Sequence, residues 1–409
     1  MGTGLTSLGK LGRTPSALME QALDSALSSA GLQLTDLDGL IALPSLSAPR
    51  FMAAHDFAQC VGLLPRQSER AVTVRTIDTG GAGPVSALLA ATRMVQHEGC
   101  QAVAVVAGDA VASLDTADFL RRAEGSLNEV GSEARLASPV IPHGYSRAAE
   151  YQMASGHVTR EQLAMCSVLM SRQAARHPLA LTQQPLSLSR VLGAPAVAPH
   201  IGLLECARRA DGGAALIVAS SEFMDDGVAV LGGGEASGPL CPPKTIDESV
   251  FSCELAARAA YAEASLSPSD IDWWGLYDCF PICFVRAVEA CGLASRGRGG
   301  AWVEAMHEAT RDGGYSPSAF PVNTHGGLMA FGAPWEVPAM YNIIEACEQL
   351  NRTAGPTRQV GAPERALVYG NGGIFSHSAV AILGTASACG VERRTPPIKQ
   401  EILSDDKAR

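Results

Sequence analysis

The residues that could do chemistry cluster in glycine-rich turns. The most informative stretch is Pro321-Val322-Asn323-Thr324-His325-Gly326-Gly327, where strand-like residues run into a polar turn. Adjacent glycines let a backbone take φ > 0 and approach a ligand or a second helix closely. In α/β folds a polar turn between two apolar elements is where sites are grafted. The same stretch would serve equally well as a structural corner, with His325 an ordinary turn residue. Thr79-Gly80-Gly81-Ala82-Gly83 and Gly370-Asn371-Gly372-Gly373 are two further turns of this kind, each closing an apolar run. Gly232-Gly233-Gly234 is not a dinucleotide loop, because the required spacing and the following acid are missing.

The eleven cysteines form no Cys-x-x-Cys pair, and none has a nearby His at zinc spacing. They read as reduced thiols acting as small apolar residues, Cys279 and Cys283 among them, and no metal site is expected. The 409 residues are 47% hydrophobic and 18% charged, enough to bury a large core. The net charge is −10, with no Lys/Arg-rich run, so nucleic acid is not an expected partner. No apolar run reaches the roughly 18 residues that span a bilayer. Met1 to Gly12 lacks the regions of a signal peptide, and a cytoplasmic protein is expected.

The turns are positioned by an α/β pattern that occurs twice. A helix over Ser16 to Ala30 has Leu18, Met19, Ala22, Leu23, Ala26 and Leu27 at helical spacing. Strands follow over Gly39 to Leu43 and Val72 to Ile77, then a helix over Val85 to Glu98 and a strand over Ala102 to Val106. In the second half, a helix over Ala257 to Ala264 leads through Asp270-Ile271-Asp272 to a strand over Trp273 to Leu276. The pair Asp36/Asp270 and the pair Ala30/Ala264 have the same separation, so one unit is duplicated, with extra residues in the second copy around Arg296 to Ser318. Two such halves would pack about a pseudo-two-fold axis and bring the glycine turns to the centre. The strand Val228 to Gly232 opens the second copy, and its first-half counterpart would fall before residue 1. Between the halves, Arg147 to Gly156, Thr159 to Arg176 and Ile201 to Ala207 read as helices. Asp211 to Ala215 turns into a strand over Leu216 to Ser220. His307, in the extra segment, is expected to be exposed.

With these motifs in this order, the chain resembles the thiolase superfamily, in its sterol-carrier-protein-type branch, over roughly residues 10 to 385. The resemblance rests on the duplicated halves, Asp211-Gly212-Gly213-Ala214-Ala215, Tyr277-Asp278-Cys279-Phe280, Asn323 to Gly327 with Gly332-Ala333-Pro334, and Gly370 to Gly373. It implies a five-layer α-β-α-β-α fold with an inserted helical loop domain. The expected division is residues 1–110 and 206–223 for the N-terminal half, 111–205 for the loop domain, 224–390 for the C-terminal half and 391–409 for a polar tail. It also implies a homodimer, a coenzyme A thioester as substrate and no bound cofactor.

The residues that thiolases use are absent. The first-half turn has no nucleophilic Cys, Tyr277 replaces a His, Ala333 replaces the His of Gly-His-Pro, and the last glycine turn lacks its Cys. Without a thiolate in the first-half turn no acyl-enzyme forms in the usual way. The chain is more similar to the thiolase-like aldol lyases, which lack the nucleophile and carry Tyr in Tyr-Asp-Cys. They commonly work with a small zinc-ribbon/OB-fold partner. The resemblance implies retro-aldol cleavage of a β-hydroxyacyl-CoA, with Tyr277 as acid/base and His325 as helper. A phenol near pKa 10 requires a neighbour or a water relay to act as the base. Backbone N–H groups at Gly80, Gly81, Gly372 and Gly373 are candidates for the oxyanion site, with Asn323 and Asn371 orienting the loops. The alternatives are an acyltransferase with an unusual nucleophile and a non-catalytic subunit that binds acyl-CoA or a partner.

Overall fold

The computed structural model describes residues 1–65, 71–125, 136–223, 227–311, 314–385 and 388; the polar tail 391–409 lies outside them. In chain order the first unit contains β1 (Gly2–Leu5), α1 (Pro15–Ala30), β2 (Gly39–Ala42), α2 (Ala53–Cys60), β3 (Thr73–Thr76), α3 (Gly83–His97) and β4 (Ala102–Ala110). Helices α4 (Thr116–Gly125), α5 (Val140–Ala154), α6 (Arg160–Ala174) and α7 (Leu188–Leu192) follow, then the small hairpin β5 (Ala196–Ala198) and β6 (Ile201–Gly202), and then β7 (Asp211–Ala219). The second unit contains β8 (Val228–Ser237), α8 (Cys253–Ala264), β9 (Trp273–Leu276), α9 (Pro281–Ala290), α10 (Gly299–Ala309), α11 (Pro338–Leu350), β10 (Arg365–Gly372) and β11 (His377–Thr385).

Local sequence sets these boundaries. The Thr14 hydroxyl accepts from Ala17 N and Pro15 enters the first turn of α1. Gly31 stops the helix in the left-handed region, at φ 69°. The buried stripe of α1 is the one its spacing predicts: Leu18, Met19, Ala22, Leu23, Ala26 and Leu27.

The two sheets repeat one topology. The first runs β1-β7-β4-β2-β3 and the second β8-β11-β10-β9. In each, a parallel pairing meets an antiparallel strand that returns beside the centre: β2 with β4 and β4 with β7, then β9 with β10 and β10 with β11. Helix α1 packs on the outer face of the first sheet and α8 on that of the second. Helices α3 and α11 lie together and touch both sheets. The layers are therefore α-β-α-β-α, and the place of α11 in the middle pair explains why it is buried almost all round. No helix among the described residues is long and apolar enough to cross a membrane.

Several expectations change. The strand that the repeat lacked is present as β1, which pairs antiparallel with β7 as β8 does with β11. Its Gly-Thr-Gly-Leu sequence carries little strand signal because both glycines are there for packing. A Cβ on Gly4 would lie 2.2 Å from the Ala22 carbonyl of α1. β7 starts at Asp211, not Leu216, for the same reason: Gly213 allows the α1 backbone at Leu18 to sit against the strand. Ile201 to Ala207 is not a helix. It is the end of the hairpin and a 3-10 turn, Leu203–Glu205, whose Glu205 carboxylate is held by Gly202 N and Arg160. His307 is buried rather than exposed, with Nε2 3.2 Å from Arg172 Nη2. Pro321-Val322 forms a single bridge to Trp274 where the first sheet has all of β3. Proline supplies no N–H, and Asn323 turns the chain into the left-handed region at φ 47°.

Asn323 closes this corner. Its Oδ1 accepts from Leu276 N at 2.7 Å and its Nδ2 donates to Leu276 O at 2.7 Å. The side chain thus completes the ladder that the backbone cannot. Where the two halves meet, the backbone of Gly372 lies so near Thr79 that a Cβ there would stand 1.9 Å from the Thr79 carbonyl oxygen.

Two outcomes follow for stability, both read from urea denaturation. Asn323→Ala orphans two buried backbone groups at about 1–3 kcal/mol each, so a loss of roughly 2–6 kcal/mol is expected. Gly372→Ala forces two backbones apart and is expected to cost at least the 1–3 kcal/mol or so typical of an overpacked core.

Candidate active site

The site begins where three elements end. β9 delivers Tyr277 and Asp278, the turn before α3 delivers Gly80 and Gly81, and β10 delivers Asn371, Gly372 and Gly373. These residues come together. Gly80 faces Gly372 and Gly373, and Gly81 faces the Asn371 carbonyl. A Cβ on Gly81 would lie 1.9 Å from the Tyr277 hydroxyl oxygen. The phenol therefore fills the space where a side chain on the first-half turn would begin.

Asp278 fixes the next loop. Its carboxylate accepts from Leu328 N at 2.8 Å, Met329 N at 3.3 Å and Asn323 Nδ2 at 3.3 Å. Gly327, at φ 61°, has no room for a Cβ, because Asp278 Oδ2 would be 2.2 Å away. A π-helical turn over Gly327–Phe331 follows. Burial pushes the Asp278 carboxyl up to about 7, against the pull of the N–H donors. Asn323, whose amide groups are spent on Leu276 and Asp278, thus holds the segment that carries Tyr277.

His325 belongs to a different environment. It is buried edge-on to Phe331, with ring centroids 5.1 Å apart, and Phe331 also meets His177 at 4.7 Å. Its Nδ1 has no hydrogen-bond partner among the described residues. Burial, with His177 and Arg358 nearby, holds its pKa well below the usual histidine range, so the ring is neutral. Beside it, Thr324 accepts from Trp273 Nε1 at 3.0 Å and donates to Glu345 Oε1 at 2.5 Å, while Arg358 pairs with Glu345 and Glu348. His177, Glu345 and Glu348 lie close enough together for a metal, but Arg358 already balances the two carboxylates.

Two residues that the sequence did not single out join the site. Tyr145 of α5 donates to Gly373 O at 2.6 Å and accepts from Asn371 Nδ2 at 2.7 Å. Its ring packs on Phe280, at 4.6 Å, and Phe375, at 5.3 Å. Gly144 lets α5 come in this far, since a Cβ there would strike Ile374. A glycine inside a helix, followed by tyrosine, was the only available signal. The second residue is Glu336, which follows Gly332-Ala333-Pro334-Trp335, is met by the Trp335 side chain, and is within electrostatic reach of Tyr277, Asp78 and Asp109. Cys279 is half-buried and sits beside Tyr145 and Cys283.

The Tyr277 phenol departs from the sequence reading. No neighbour lowers its pKa. Burial first, with the groups around it, raises it well above the usual phenol range. Tyr277 is a phenol at neutral pH and is chemically a proton donor.

Comparison with known proteins agrees with this architecture. Residues 244–385 match the family model described as "Thiolase C-terminal domain-like". Over 374 residues, 87% of this chain and 91% of the relative, the chain is 29% identical to an acetyl-CoA acetyltransferase of Methanothermobacter thermautotrophicus. It is also 29% identical over 248 residues to sterol carrier protein 2 of Oryctolagus cuniculus, a match that spans 58% of this chain and 43% of that protein. In fold it is similar to the Ltp2-ChsH2(DUF35) aldolase, with a TM-score of 0.75 and 23% identity over 94% of this chain and 96% of that one. The duplicated sheets about a shared helical layer have the thiolase fold, and residues 244–385 carry the match to a thiolase C-terminal domain.

Proposed function

We propose that the chain is a carbon–carbon lyase that cleaves a β-hydroxyacyl-CoA thioester by a retro-aldol reaction without a covalent intermediate. The observation that carries this reading is the Tyr277 hydroxyl standing against Gly81. At Gly80 and Gly81 the turn that would hold a nucleophile has no side chain, and the space beside Gly81 is occupied by a protonated phenol. Acyl-enzyme chemistry needs a thiolate or an activated hydroxyl there. A retro-aldol reaction needs only proton transfer and a stabilised enolate. As the Cα–Cβ bond breaks, the β-hydroxyl loses its proton and becomes an aldehyde or ketone. The electron pair moves into a thioester enolate, which takes a proton at Cα to leave the shortened acyl-CoA.

In this reading Tyr277 protonates the enolate carbon. The turns at Gly80–Gly81 and Gly372–Gly373 supply N–H groups to the thioester oxygen. Tyr145 and Asn371 fix the second of these turns by the bonds described above. His325, neutral and held against Phe331, supports the corner rather than the reaction. Residues 111–205, the loop domain in this reading, would cover the acyl-CoA. The Ltp2-ChsH2(DUF35) aldolase bears a DUF35 component in its name. A small zinc-ribbon/OB-fold partner is part of the proposal for this chain, as are a homodimer and a cytoplasmic location.

Cys279 favours a second reading. It is a half-buried thiol beside Tyr145, and the acetyltransferase relative makes acyl transfer the natural alternative.

The test is cleavage of a panel of β-hydroxyacyl-CoA thioesters, with and without a zinc-ribbon partner, followed by mass spectrometry of the carbonyl product and shortened acyl-CoA. Tyr277→Phe is expected to lower kcat by about 10²-fold or more, the usual worth of a general acid, while KM stays within a few-fold. Iodoacetamide is expected to leave the rate unchanged. Thioester-dependent acyl transfer that is lost in Cys279→Ala would replace this reading with the second.

A further inference from the structure

A retro-aldol site needs a base for the β-hydroxyl proton, and the raised phenol of Tyr277 does not supply one. We infer that Glu336 is that base. The inference rests on the lyase reading above and adds to it the residue that starts the reaction.

The frame that carries Glu336 is fixed at both ends. Ala333 N donates to Arg208 O at 2.8 Å, and Ala210 N donates to Ala333 O at 3.2 Å. Trp335 is held in the left-handed region at φ 51°, with its ring edge-on to Phe119 at 5.9 Å. That conformation is costly for a bulky residue and marks a segment whose surroundings determine its path. After Val337, α11 begins at Pro338 and packs against the Gly80–Ala82 turn. Glu336 thus lies two residues before a helix that packs against the turn whose Gly81 touches the Tyr277 hydroxyl.

The Trp335 side chain meets the Glu336 carboxyl in part, and one oxygen is left over. Glu336 Oε2 is buried and has no hydrogen-bond partner among the described residues. A buried polar atom left unbonded costs stability, and a functional role is one of the few reasons to keep it. The charged or titratable groups facing it are Asp78 before the first-half turn, Asp109 at the end of β4, and Tyr277. None is a cation. Asp109 is engaged with Leu46 N, Ser47 N and Ala110 N. Burial first, then Asp78 and Asp109, push the Glu336 carboxyl up to about 8, into the range where a base works best near neutral pH.

The proton inventory closes. Glu336 takes the β-hydroxyl proton as the Cα–Cβ bond breaks. Tyr277 gives its phenolic proton to the enolate carbon. The Glu336 carboxylic acid then returns its proton to the tyrosinate, and both residues are reset with no external oxidant, reductant or co-reactant.

The experiment compares the wild type, Glu336→Gln and Glu336→Asp across pH 6 to 9, with the full chain and any partner it needs, on whichever thioester of the panel is cleaved. Because a base acts deprotonated, wild-type kcat is expected to rise with pH and level off above about 8. Glu336→Gln should lose about 10²-fold or more in kcat and lose the rising limb, while binding CoA thioester and melting like the wild type. Glu336→Asp should restore part of the rate and bring back a rising limb. A wild-type profile that is flat from pH 6 to 9 would overturn the inference, even if the glutamine variant fails to fold. So would a Glu336→Gln enzyme within about threefold of wild type with an unchanged profile, and in both cases the lyase reading would stand. If the wild type cleaves no member of the panel, the lyase reading itself fails and the role of Glu336 falls with it.

Discussion

The contact on which the molecule depends is one between backbones. Thr79 and Gly372 approach so closely that no side chain fits between them. The approach ties the turn before α3 to the end of β10, and so sets how far apart the two sheets stand. Helices α3 and α11 fill that space and touch both sheets. A side chain on the turn would add a functional group, but it would also wedge the halves apart or displace Tyr277. The missing nucleophile and the close packing are one fact seen from two sides.

Burial governs the chemistry that remains. The same dry surroundings hold His325 neutral, keep Tyr277 protonated and lift the carboxyls of Asp278 and Glu336. Their consequences differ because their partners differ. Asp278 is met by two backbone N–H groups and the Asn323 amide, and its job is to hold a loop. Glu336 Oε2 is met by none. Two carboxyls raised by the same cause thus differ in how their oxygens are satisfied.

Much of the architecture could be read in the sequence, because apolar runs and glycine turns mark strands and corners directly. The duplication, the apolar face of α1 and the glycine turns near the centre follow from such marks, while the place of Tyr277 among them was implied by the family resemblance. β1 was hidden because its glycines serve close packing against α1 and leave few strand-forming side chains. Ile201 to Ala207 misled because an apolar pair before a short turn mimics a helical stripe. His325 sat in a polar motif, yet the fold turns it into an aromatic pocket. Tyr145 and Glu336 lie outside the motifs, and their importance arises only from neighbours far away in sequence.

The Tyr145 hydroxyl reaches Gly373, 228 positions further along the chain. A growing polypeptide makes α5 long before it makes the strand that α5 must secure. Contacts of such separation form late, because the entropy of closing the intervening loop has to be overcome first. Until Gly373 has been made, the turn at Gly80 has nothing to lean against, and Tyr145 presents an unmet hydroxyl. The nascent first half can build its own sheet, but its reactive groups wait for the second half to dock. During synthesis, then, the site around Gly80 is assembled only once the last strands of the second half have been made.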